Sequence, residues 1–172
     1  MSTSCLGSYL NDCFKRKNKD DMKSYLGFLL KTAGKENVFL ELQDSDSKDQ
    51  VAYNKFLIGL SKVTGIKTIV TQDAHYLNKE DLAIQKIFLN SKQEGDREVE
   101  SFYKYTYIKS ESEMKQILSY LPEEEVQKAI DNTQIVYKMI KPFDLRKDTV
   151  IPQRKLPEFH LKHLLKDWYS QE

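Results

Sequence analysis

Much is missing from this chain of 172 residues. Its two cysteines, Cys5 and Cys13, are too few for a disulfide scaffold, and their spacing is not that of a zinc finger. That usage fits a reducing cytoplasm, and a cytoplasmic location is the expectation. No apolar run approaches the length needed to span a membrane, and the first residues lack the basic-then-apolar pattern of a secretory signal. The net charge is only +1, so there is no global electrostatic case for nucleic-acid binding, which leaves local basic patches alone. There is no internal repeat and no low-complexity tract. What remains is 40% hydrophobic and 31% charged, the composition of a soluble globular protein. It suffices for one domain with a real core, or for one piece of a larger assembly.

The stretch Lys67-Thr-Ile-Val-Thr-Gln-Asp-Ala-His-Tyr-Leu77 organises the reading. Its β-branched, apolar run predicts a short buried strand over Thr68 to Thr71, giving way at once to a polar loop. Asp73 and His75 are two residues apart, and in extended backbone that spacing sends both side chains to one face. A carboxylate and an imidazole can then converge on one metal ion or phosphate. By itself a D-x-H is most often plain loop chemistry. Its place after a strand is what gives it weight, because in α/β folds the loops at strand C-termini carry the sites.

Upstream, Tyr9, Leu10, Cys13 and Phe14 recur at helical spacing, and Lys15 to Lys19 reads as a solvated connector, with a basic patch as the sharper alternative. Asp20 or Asp21 is placed to cap a helix with the stripe Met22, Tyr25, Leu26, Leu29 and Leu30, ended by Gly34. Asn37 to Gln43 reads as a strand, with Glu41 facing solvent or aimed at a site; the former is favoured. Asp44 to Asp49 is an acidic loop. A helix from Gln50 to Thr64 follows, with Phe56, Leu57, Leu60 and Val63 on one face. Strand, helix and strand at this spacing form a βαβ unit with parallel strands. Asn78 or Asp81 begins a further helix with Leu82, Ile87, Phe88 and Leu89 turned inward, and Ser91 to Ser101 is a charged loop. Phe102, Tyr103, Tyr105 and Tyr107 make an aromatic segment, read as packing on the core in preference to stacking on bases. Ser110-Glu-Ser-Glu113 is a capping box, with Met114, Ile117 and Leu118 as its stripe. Pro122 and three glutamates open a long helix to Ile140. Residues 142 to 157 read as an extended connector, and Leu161 to Tyr169 as a short amphipathic helix.

Six separated stretches resemble, in order, the later part of the PHP (polymerase and histidinol phosphatase) domain of bacterial DNA polymerase III alpha subunits. They are Thr3-Ser-Cys-Leu-Gly7, Phe39-Leu-Glu-Leu42, Val70 to Leu77, Tyr107 to Met114, Pro122 through Asn132-Thr133 to Ile135, and Leu156-Pro-Glu-Phe159. The resemblance implies an α/β fold: part of a distorted (βα)7 barrel, with parallel strands and flanking helices, followed by a helical C-terminal extension. Residues 1–100 would be the C-terminal part of the barrel, 101–141 the aromatic segment and helices that complete the domain, and 142–172 a linker and short helix leading towards a palm domain. It carries over three metal ligands, Cys5, Asp73 and His75, a thiolate, a carboxylate and an imidazole that suit zinc or a mixed zinc/manganese site. For Cys5 a small buried hydrophobe is an equal alternative.

The chain also departs from the family. It has no H-x-H motif, the family's opening metal signature, and His160 and His163 in the last predicted helix do not replace it. It has no palm, so the acidic residues that hold the polymerase's magnesium ions are absent and no catalytic residue is assigned. The implied role is therefore in DNA replication, as part of a DNA-directed DNA polymerase (a nucleotidyltransferase) whose remainder supplies the N-terminal PHP half, palm and thumb. The proofreading exonuclease is a further implied partner, and DNA an indirect one. A split or interrupted polymerase gene, of phage or another mobile element, would account for the extent of the match. With three ligands at most, weak and sub-stoichiometric metal binding is expected. The alternative is a stand-alone metal-dependent PHP phosphoesterase.

Overall fold

The computed structural model describes residues 1–3, 5–91, 103–146 and 166. The chain divides into one unit, Met1–Ile140, and a second, Lys141–Glu172. In the second, the described residues 141–146 lack regular structure, and Asp144 pairs with Arg146 at 2.9 Å. The short amphipathic helix expected over Leu161 to Tyr169 lies outside the described residues, Lys166 excepted.

In the first unit α1 (Tyr9–Lys15) starts on Ser8, whose side chain accepts the Asn11 amide. The next helix, α2 (Lys19–Ala33), is capped by Asn18 and not by either aspartate, because the Asn18 side chain reaches the Asp21 amide at 3.1 Å. Leu26 and Leu29 of its stripe are buried, and Gly34, at φ 79°, ends it. A 3-10 turn over Lys35–Asn37 shortens the following strand to β1 (Phe39–Gln43). Ser47 then caps α3 (Lys48–Thr64), two residues earlier than the apolar pattern suggested. Its buried face runs through Gln50, Tyr53, Asn54, Leu57 and Ile58, whereas Val63, expected on that face, is 86% exposed. Gly65 closes α3 in the left-handed conformation, and β2 (Lys67–Thr71) pairs with β1 in parallel, Leu40 against Thr68 and Leu42 against Val70. The βαβ reading is thus what the chain forms.

The start of the chain lies along the other side of β1. Ser2 bridges Phe39 in parallel, and the Thr3 side chain accepts the Glu41 amide. Glu41, favoured as a solvent-facing residue, is instead clasped by the Ser2 and Thr71 hydroxyls. Downstream, α4 (Leu82–Asn90) differs from expectation. No residue of it is buried, and Ile87 and Phe88 are more than half exposed; among the described elements it packs on the 3-10 turn (Lys79–Asp81) just before it. Residues 92–102, including Phe102 and nearly all of the charged loop, lie outside the described set. Thr106 to Ile108 run beside Tyr76 and Leu77, with a parallel bridge between Tyr76 and Tyr107. The capping box of Ser110 and Glu113 forms as expected and starts α5 (Glu111–Ile117). Pro122 precedes α6 (Glu123–Met139), which packs on β2 through Val126, Ala129 and Asn132.

The core gathers Leu10, Leu40, Leu42, Tyr53, Leu57, Ile66 and Leu118 around the two strands. Burying each such aliphatic side chain favours the fold by about 1.5–3 kcal/mol. The described part is thus an α/β unit with a two-stranded parallel sheet.

Candidate functional site

Both strands run in the same direction, so their C-terminal ends open on one side of the sheet. There lies a cavity of about 350 Å³, lined among others by Cys5, Asp44, Gln72, Asp73 and Tyr105, with the first turn of α3 beside it. Cys5 and Asp73, predicted from separate motifs, are brought to this one space. His75 is not among its lining residues.

The Asp73–His75 loop does not continue the strand. Asp73 sits at φ 48°, a left-handed conformation that short polar side chains tolerate better than most. The expectation that extended backbone aligns the two side chains is corrected accordingly: a kink, and not a pleat, brings them together. His75 Nδ1 lies 2.6 Å from the Asp73 carbonyl oxygen and 3.9 Å from its Oδ1. A carbonyl only accepts, so Nδ1 is the donor in this contact. The ring also stands edge-on to Tyr103, with centroids 5.2 Å apart. Cys5 is half-buried, and its Sγ accepts the Gly7 amide at 3.4 Å.

The strongest feature here has no local signature in the sequence. Asp44, the first residue after β1, belongs by sequence to an acidic loop, yet it is 4% exposed. Its Oδ2 lies 3.0 Å from Nζ of Lys109, itself wholly buried as a side chain. The same ammonium donates to the main-chain oxygens of Tyr105 and of Tyr107, the latter at 2.9 Å, and stands 4.4 Å from the centroid of the Tyr107 ring. Two carbonyl acceptors, the charge of the carboxylate and one aromatic face surround the ammonium, while Asp44 Oδ2 itself has no hydrogen-bond partner of good geometry. The Lys109 main chain is gripped as well: Gln72 Oε1 accepts its amide at 2.9 Å, and Gln72 Nε2 donates to its carbonyl at 2.8 Å. Burial pushes the Asp44 carboxyl up to about 6, although Lys109 draws it down, and nearby Asp73 adds to the rise. Desolvation therefore outweighs the ion-pair attraction.

The rest of the loop after β1 is tied in the same way. Tyr120 donates its hydroxyl to the Ser45 carbonyl at 2.9 Å and accepts from Asn54, which also donates to Gln43. The Tyr105 hydroxyl reaches Asp46. No local pattern announces these bonds, since each partner lies far off in sequence.

For zinc or manganese this arrangement falls short. A structural zinc site takes four protein ligands and a catalytic one three plus water. The cavity offers Cys5 and Asp73, while Asp44 is paired with Lys109, Asp49 with Lys15, and His75 is not among the lining residues. Among the described residues no group of three or more His, Cys, Asp and Glu is spaced to hold a metal ion. No helix among them is long and apolar enough to cross a membrane.

No model of a protein family matches the chain. Individual proteins do. It is 34% identical over 184 residues to the probable DNA polymerase YorL of Bacillus subtilis, a match that takes in 99% of this chain and 14% of that protein. It is 26% identical to the DNA polymerase III alpha subunits of Borreliella burgdorferi and of Deinococcus radiodurans, covering 95% and 90% of this chain but 15% and 12% of theirs. The chain thus spans about one seventh of the length of the proteins it matches. Along nearly its whole length it is related to a segment of DNA polymerase III alpha subunits.

Proposed function

We propose that this chain is the C-terminal half of a PHP-type domain, serving DNA replication as a structural module of a polymerase III alpha-like enzyme. The observation that carries this is the coincidence of motif and geometry. Stretches that resemble the PHP family, around Cys5, Asp73 and Lys109, meet at one end of the parallel strands, Glu41 of a further such stretch is bonded to Thr71, the last residue of β2, and the sequence relatives are DNA polymerases. In this reading β1 and β2 are neighbouring strands of a distorted (βα)7 barrel. Residues 1–100 and 101–141 belong to the domain, and 142–172 lead towards the palm. The remaining polymerase III alpha polypeptide covers the module, and the polymerase chemistry and its magnesium ions reside there. The proofreading exonuclease is a second, more distant partner.

The reading is tested by co-expressing the chain with polypeptides that carry an H-x-H-bearing N-terminal PHP half and a palm domain, encoded beside it. Stable co-purification is the expected outcome. Absence of such reading frames from the source genome, or failure of the purified pieces to associate, would count against it.

A second reading, a stand-alone PHP phosphoesterase, draws on the cavity beside Cys5 and Asp73. It requires metal-dependent hydrolysis of a phosphodiester by the purified chain, lost in His75→Ala. No turnover with manganese or zinc would end it.

A further inference from the structure

We propose that the mouth at the ends of β1 and β2 is built on a protein ammonium, that of Lys109, occupying a cation's role, and that the chain holds this site together without a metal ion. The inference rests on the reading that this end of the sheet corresponds to the metal-bearing end of a PHP barrel.

A cation in such a place compensates buried carboxylates and ties the loops after successive strands to one point. Lys109 does both. Its ammonium compensates Asp44, directly after β1, at 3.0 Å. Its main chain is bonded in both directions to Gln72, directly after β2. One residue therefore spans the two strand ends, pairing with Asp44 by charge, and its own segment supplies the ammonium's hydrogen-bond acceptors, the Tyr105 and Tyr107 carbonyls. The side chain is fully enclosed, so this is an internal fixture and not a surface ion pair that solvent would screen.

The charge left over is too small for a divalent ion. With Asp44 compensated, and Asp49 paired with Lys15 at 3.0 Å, Asp73 is the cavity-lining carboxylate without a lysine or arginine partner among the described residues. Its nearby imidazole is anchored on the Asp73 carbonyl, and Cys5 adds one sulfur. A divalent cation would also meet the Lys109 charge across a low-dielectric wall, where like charges repel strongly.

The test uses the full chain. After loading with zinc or with manganese and dialysis, elemental analysis should find well below one ion per chain, and a chelator should leave the melting temperature unchanged. Lys109→Met frees Asp44 to join Asp73. It should bind manganese on the order of tenfold to a hundredfold more tightly than the wild type, and its melting temperature should rise with the ion where the wild type's does not. One ion per wild-type chain, or a wild-type melting temperature that falls with chelator, would overturn the proposal. So would a folded Lys109→Met that ignores manganese. Should that variant not fold, the wild-type ratio and chelator response decide alone. Association with the flanking polymerase pieces is a separate readout, so failure of the metal-free site and failure of the polymerase assignment are told apart.

Discussion

Asn132 of α6 donates its side-chain amide to the main-chain oxygen of Thr68 at 2.8 Å, joining residues 64 positions apart. Among the described residues β2 has no strand neighbour but β1, and α6 lies on it with Val126 and Ala129 buried beside the amide. A helix thereby provides a donor of the kind that a further strand would give. Asn132→Ala leaves the Thr68 oxygen to lose a buried partner, at a cost of about 1–3 kcal/mol. Urea unfolding should show a lower midpoint with an unchanged slope. A variant as stable as the wild type would mean that the bond is not formed in solution.

The buried acid gives a pH dependence with a definite sign. Asp44 titrates at about 6 in the folded chain against an ordinary aspartate value of about 3.9. The folded state thus holds the proton more tightly than the unfolded one. Its contribution to stability is present in full below the unfolded value and is lost as pH rises through the folded one. Wild type should therefore lose stability relative to Asp44→Asn between pH 4 and 6, and the difference should level off above. Unfolding curves at half-unit steps across that window check this. A wild type that gains on the variant over the window would reverse the sign.

Tyr120→Phe removes the hydroxyl that holds the Ser45 carbonyl and accepts from Asn54. The ring still packs, so the effect isolates the bonds. A loss of about 1–3 kcal/mol is expected, and amide exchange should quicken in the loop that follows β1. Exchange unchanged at residues 44–47 would show that the hydroxyl does not hold that loop.

Leu57→Ala opens the core directly beneath the sheet, since Leu57 is wholly buried. Its cost should be about 2–5 kcal/mol. Val63→Ala on the same helix lies in solvent and should change stability by less than about 0.5 kcal/mol. Equal effects from the two would contradict the face assigned to α3.

Periodicity and caps made most of the elements legible. The β-branched run of β2, the stripe of α2, the Ser110 capping box and the proline before α6 all signal locally, within a turn or two of the residues that respond. What escaped is non-local. Asp44 sits among acids and serines, the composition of a solvated loop, and nothing near it reveals a lysine 65 positions on. Apolar residues at helical spacing also over-read the burial of Val63, Ile87 and Phe88, because a pattern records which face is greasy and not how deeply it is buried. At the candidate site the motifs put Cys5 and Asp73 on one cavity, but the left-handed turn at Asp73 was hidden, since D-x-H reads equally well as extended chain.

The most direct test of the central claim is primer extension by a reconstituted polymerase. The flanking pieces, with the H-x-H-bearing half and the palm, are assayed alone and with this chain added in stoichiometric amount. Extension that depends on the added chain, and falls when Lys109→Met is substituted, is the predicted result. Equal extension with and without it would contradict a structural role in the polymerase.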